Sequence, residues 1–120
     1  MGADGSVHST LRFADGSVAT ISYVTEGSSR FPKETLDVVG DGRNGRLDNF
    51  QRVTVWSAKG KKGHRVLSGQ DKGQGAQLDS FAHSVRTGSA MPIPLESLVA
   101  TTRATLAVER SMSLGRPVSW

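Results

Sequence analysis

The feature that most restricts the fold is a change of hydrophobic period near Gly73. Before it, β-branched and aromatic residues fall in short runs separated by Gly, Asp and Asn. After it, apolar residues recur every three or four positions. The first pattern belongs to strands joined by tight turns, the second to helices with one covered stripe. The expectation is therefore an α+β fold. A mostly antiparallel β-sheet of about five to seven strands would be followed by two helices packed on one face. With 120 residues the chain is read as one domain, 1–120, large enough to bury a core.

Two runs, Val7 to Phe13 and Val18 to Val24, flank Ala14-Asp15-Gly16-Ser17. Asp-Gly between such runs is a two-residue hairpin signal, since a type I′ turn needs positive φ at both central positions. That register pairs Phe13 with Val18, Leu11 with Thr20 and Val7 with Val24, on a face expected to meet the core. The opposite face would carry His8, Thr10, Arg12, Ile21 and Tyr23, a mixture suited to a ligand, a domain or a second subunit. Lys33 to Val39 reads as a third strand and Arg46 to Asp48 as a short one. Phe50 to Trp56 pairs with His64 to Leu67 across a loop, Ala58 to Gly63.

Leu78, Phe81, Ala82 and Val85 share one stripe of a first helix, with Asp79, His83 and Arg86 opposite. Gly88 ends it and Pro92 follows. Pro94 fits the start of a second helix, Glu96 lies near its positive end, and Gly115 with Pro117 closes it. That helix has two dry faces: Leu95, Leu98, Val99 and Leu106 on one, Ala100, Ala104 and Ala107 on the other. One sheet and two helices can hardly bury both, so a further domain or a partner subunit is expected to cover the rest.

The chain has no cysteine, which excludes disulfides, thiolate metal sites and Cys nucleophiles. No apolar run is long enough to span a bilayer, and the N-terminus lacks the features of a signal peptide. The expectation is no membrane association and a cytoplasmic location. The net charge of +4 is partly local, with Lys59, Lys61, Lys62 and Arg65 close together. Such a patch can attract phosphates, and Trp56 could stack on a base, giving a basic nucleic-acid module as a rival reading. Lys- and Gly-rich hairpin tips are more often plain solvated surface, which argues against nucleic acid.

Gly40-Asp41-Gly42-Arg43-Asn44-Gly45 matches G-x-G-x-x-G. A dinucleotide fingerprint needs a helix directly after it and an acidic residue some 20 positions on. Neither is present, so the glycines are expected to form a tight β-turn. The histidines, His8, His64 and His83, have no metal-ligand spacing. There is no G-x-S-x-G elbow and no phosphate-binding Walker loop. No catalytic residue, metal ligand or cofactor-binding residue is assigned. Asp71 and Lys72, between the last hairpin and the first helix, and Lys33, which follows Pro32, are the substrate-pocket candidates, although connecting and capping roles are the more usual ones for exposed charged residues.

Several phrases resemble the C-terminal domain of the Gfo/Idh/MocA oxidoreductase family. They are Leu11 to Ile21 (LRFADGSVATI), Phe31-Pro32-Lys33-Glu34 leading to Val38-Val39-Gly40, Leu47-Asp48-Asn49-Phe50 and Gln70-Asp71-Lys72-Gly73. Pro92-Ile93-Pro94 and Ser111 to Val118 (SMSLGRPV) follow in the same order. The Phe-Pro-Lys-Glu and Asp-Lys-Gly phrases especially resemble bi-domain members in which this unit ends a longer protein. The resemblance implies a partner N-terminal Rossmann domain that binds NAD or NADP and supplies a catalytic lysine. It implies a C-terminal sheet that walls the substrate pocket and forms a homo-oligomer interface through its open face. Substrates would be sugars, sugar nucleotides or polyols, oxidised by hydride transfer. This chain lacks the Glu-Lys-Pro triplet and the upstream histidine of that family. It is therefore expected to be a truncated piece or the product of a fragmentary gene, to bind no cofactor and to be inactive alone. A stand-alone oligomeric ligand-binding protein is the other alternative. Arg12, Ile21, Tyr23, Ala100 and Ala104 are the interface candidates.

Overall fold

A computed structural model describes residues 5–67 and 69–120. In chain order the elements are β1 (Val7–Arg12), β2 (Val18–Tyr23), β3 (Thr35–Gly40), β4 (Arg43–Asp48), β5 (Arg52–Ser57), β6 (Gly60–Arg65), α1 (Gln74–Thr87) and α2 (Leu95–Leu114). The fold is α+β, with six antiparallel strands among the described residues, in one sheet of two strands and one of four. The chain divides into two compact units. One combines the residues up to Gly27 with Ala90–Trp120, and the other is Ser28–Ser89. Each unit thus holds one sheet and one helix.

The β1–β2 hairpin forms where Asp-Gly places it, but its register is one residue away from the expected one. Arg12 faces Val18, Leu11 faces Ala19 and Val7 faces Tyr23. The cause is local. Asp15 Oδ1 accepts the Ser17 backbone N–H at 2.9 Å and the Ser17 hydroxyl at 2.7 Å. A two-residue turn would have used that N–H for the ladder. Instead the Gly16 N–H donates to Phe13 O at 3.0 Å and the Phe13 N–H to Ser17 O at 2.9 Å. With Gly16 at φ 87°, this is a three-residue loop ending in a left-handed glycine. The slip re-sorts the faces. Val7, Ser9 and Leu11 share one face with Ala19, Ile21 and Tyr23, while His8, Thr10 and Arg12 share the other with Val18, Thr20 and Ser22.

In the second unit β3, β4, β5 and β6 form a meander in sequence order. Gly40 faces Arg43, and Asp41 and Gly42 take φ 48° and 65°, the double positive φ of a type I′ turn. The glycine-rich string is thus a hairpin tip, and Gly45 lies in mid-strand between Val38 and Val55. The last hairpin is tighter than expected. Ser57 faces Gly60 across a two-residue Ala58–Lys59 turn, so the strand runs from Gly60 rather than from His64. Lys61, Lys62 and Gly63 are poor strand formers by themselves. Their pairing with β5 overrides that preference, and Lys61 lies with its ammonium 5.5 Å from the Trp56 ring it faces.

The sheet's two faces differ sharply. Leu36, Leu47, Val53 and His64 lie in one cross-strand row, and Val38, Gly45, Val55 and Lys62 in the next but one, making a face that is apolar across β3 to β5 and polar at β6. The reverse face carries Asp37, Arg46 and Thr54 in one row and Val39, Asn44, Trp56 and Lys61 in another. Arg46 Nε and Nη2 each donate to one Asp37 carboxylate oxygen at 2.7 Å.

The helices end as the sequence indicates, with Gly88 at φ 68° and Gly115 at φ 62°, both left-handed. Their apolar stripes are not covered. Leu78, Phe81 and Val85 on α1 are exposed, and the buried residue of that helix is Ser84. Among the described residues Ala107 is the one buried apolar side chain, and Thr54 and Ser84 are the buried polar ones. The core anticipated from chain length is not formed among the described residues. Most of the dry faces that the sequence periods demand stay exposed, except on β1, where Val7, Ser9 and Leu11 are half-buried.

Candidate functional site

Three loops meet at one end of the four-stranded sheet: the residue entering β3, the β4–β5 turn and the segment leading to α1. Glu34 stands immediately before β3, and its carbonyl accepts the Asn49 N–H at 2.7 Å. Asn49 and Phe50 form the turn at φ 48° and 54°, with the Gln51 N–H bonded to Asp48 O at 2.9 Å. Positive φ is tolerated by Asn and rarely adopted by a bulky aromatic, so Phe50 holds a costly conformation.

Gln70 and Lys72 close the cluster. Gln70 Nε2 donates to Asn49 O and Oδ1, each at 3.1 Å, and to Glu34 Oε2 at 3.2 Å. Lys72 Nζ forms an ion pair with Glu34 Oε1 and lies 5.7 Å from the centre of the Phe50 ring. The Lys72 hydrogen bond is the main reason the Glu34 carboxyl is held below its usual value. Partial desolvation works against this, and Gln70 and the nearby charge of Lys33 add to it. Both side chains of the pair keep more than a third of their surface in solvent.

The substrate-pocket candidates therefore separate. Lys72 is in the cluster. Lys33 contributes charge beside it. Asp71 caps its own loop, accepting the Gly73 N–H at 2.8 Å where Gly73 begins α1 at φ 75°. Sequence reasoning missed Glu34, Asn49, Phe50 and Gln70 as site residues. All four lie inside the phrases that carry the family resemblance, and no local signal sets them apart from ordinary loop residues.

Chemically the cluster offers a carboxylate, two amides and an ammonium beside an aromatic face. Lys72 has donors beyond the one Glu34 takes, and the Glu34 oxygens have lone pairs beyond Lys72 and Gln70. Such a set can hydrogen-bond a polyhydroxylated molecule through paired donors and acceptors. It contains no nucleophile beside a base, and no group of three or more potential metal ligands occurs among the described residues.

The interface candidates are also divided. Ile21 and Tyr23 share a face, opposite Ser9 and Val7, and both are exposed. Arg12 lies on the reverse face opposite Val18, because of the register slip. Along α2, Ala100 is exposed, Ala104 half-buried and Ala107 buried. In the same unit a cavity of about 550 Å³ is lined by Arg12, Phe13, Ala107, Ser111, Val118 and Trp120. No helix is long and apolar enough to cross a membrane among the described residues.

No known family model, curated protein or solved structure matches this chain.

Proposed function

We propose that this chain is the C-terminal substrate-pocket and oligomerisation domain of an NAD(P)-dependent oxidoreductase acting on a sugar, sugar nucleotide or polyol. One observation carries the reading. Phe-Pro-Lys-Glu, Leu-Asp-Asn-Phe and Gln-Asp-Lys-Gly, scattered over some forty positions, converge through Glu34, Asn49, Phe50, Gln70 and Lys72. Their convergence at one end of the sheet supports reading the three phrases as parts of one functional unit. In the proposed whole enzyme this cluster lies on the substrate wall. A Rossmann domain carried elsewhere supplies NAD or NADP and the catalytic lysine.

The uncovered stripes support the same reading. Exposed apolar surface on this scale normally marks contact with another domain or subunit. The apolar sheet face and the alanine stripe of α2 would then be covered in the intact assembly. Hydride transfer needs cofactor and substrate carbon held together, which half a cleft cannot provide, so the chain alone is inactive.

The test is the reading frame around the gene. The proposal expects a Gly-rich nucleotide-binding turn and a Glu-Lys-Pro triplet encoded upstream, and NAD(P)H-linked turnover of polyols when the two parts are expressed together. An upstream region with no such fingerprint, together with turnover by this chain alone, would refute it. The basic-module alternative is weakened by Lys61, which occupies one face of the Trp56 ring that a base would need.

A further inference from the structure

The four-stranded sheet has two edges, and they are built differently. β6 presents Lys61, Lys62, His64 and Arg65, a cationic edge of the kind that discourages strand pairing. β3 is Thr-Leu-Asp-Val-Val-Gly, six residues with a single charge. That charge, Asp37, is neutralised from the inner side by the bidentate Arg46 of β4. All six positions of β3 are exposed, Val39 to 76%. Among the described residues no strand pairs with its outer side. An edge with one charge, already paired, and no strand on its outer side is a template for another strand.

We infer that β3 pairs antiparallel with β3 of a second copy of this chain, with Val38 on the two-fold axis. The strand's own sequence selects both the occupant and the register. With Val38 facing the partner's Val38, Leu36 faces the partner's Gly40 and Asp37 faces the partner's Val39. The apolar face then continues across the junction, as does the polar face, and no like charges stand opposite one another. A register one residue away would join the apolar face of one sheet to the polar face of the other. A register two away in one direction would set Asp37 against the partner's Asp37, and in the other would set it against the partner's Asp41 and leave only Val38, Val39 and Gly40 paired within the strand. A two-fold contact needs a self-complementary patch, and this strand is one. The contact is made through backbone at the edge, so it is separate from any stacking of sheet faces in the proposed enzyme.

The chain has no native cysteine, so single substitutions report contacts cleanly. Val38→Cys in the full chain is expected to give a disulfide-linked dimer on mild oxidation. Asp37→Cys alone should not, whereas a mixture of Asp37→Cys and Val39→Cys should give the mixed dimer. Lys61→Cys on the guarded edge is the control. Val38→Lys should reduce the mass seen by light scattering, while Val55→Thr on the sheet face should leave Val38→Cys cross-linking unchanged. The inference is overturned if Val38→Cys cross-links no faster than Lys61→Cys, or if Asp37→Cys links to itself. A monomeric chain whose outer β3 amides resist hydrogen exchange would assign the edge to a strand of different sequence and also overturn it.

Discussion

Glu34 and Lys72 stand 38 residues apart in the chain and form an ion pair at the end of the four-stranded sheet. Gln70 bonds to the same carboxylate as well as to Asn49, so Glu34 holds the segment that leads into α1 at two points, Gln70 and Lys72. Glu34→Ala is therefore expected to release that segment. Hydrogen exchange should accelerate at Gly69 to Gly73 and stay unchanged in the middle of β5. Uniform acceleration would mean that the cluster is not a local anchor.

The same pair sets a pH dependence. Lys72 lowers the Glu34 carboxyl below its ordinary 4.5, so the carboxylate is favoured in the folded state. A depressed acid contributes stability above its unfolded pKa and loses it as pH falls through the folded value. Asp37, lowered chiefly by Arg46, acts in the same direction. Acid unfolding should therefore be shallower than in the parent below about pH 4.5 for Glu34→Gln and below about pH 3.8 for Asp37→Asn, since each removes one linked proton. A carboxyl titration by NMR showing Glu34 above 4.5 would contradict this.

Two glycines of the glycine-rich string should respond in opposite ways. Gly42 has φ 65° in the type I′ turn, so Gly42→Ala should destabilise the chain by about 1 kcal/mol. Gly45 sits in β4 with open space where a Cβ would be, so Gly45→Ala should be neutral or stabilising by roughly 0.5 kcal/mol. Urea midpoints of the two variants provide the comparison. A nucleotide-binding turn would make both substitutions harmful.

The register of the first hairpin can be read by cross-linking. Leu11→Cys with Ala19→Cys should close a disulfide, because these residues face each other. Leu11→Cys with Thr20→Cys, the pairing suggested by a two-residue turn, should not. Adding Asp15→Ala, which frees the Ser17 N–H, is expected to weaken that preference.

How much of this was legible depended on whether the signal was local. A tight turn in the string Gly40 to Gly45 and the helix stops at Gly88 and Gly115 are local properties and read directly, although the turn is confined to Asp41-Gly42 and β4 starts at Arg43 rather than Arg46. The first hairpin misled because Asp15 chose between two loop lengths with one side-chain bond to Ser17, and periodicity does not weigh such a bond. β6 was read too short because Lys61 to Gly63 acquire strand character only from their partners in β5. Lys72 could be singled out as charged and loop-borne. Its partners could not, since Glu34, Asn49 and Gln70 look like ordinary loop residues until three turns are brought together. The uncovered stripe of α1 is a different case. Its spacing was read correctly, and Leu78, Phe81 and Val85 of that stripe are nevertheless exposed.

The central claim is that these residues supply a pocket wall and interfaces, while cofactor chemistry resides in another domain. Calorimetric titration of the full chain with NADH and with NADPH tests it most directly. The account expects no saturable heat with either nucleotide. A micromolar dissociation constant for either one would contradict it.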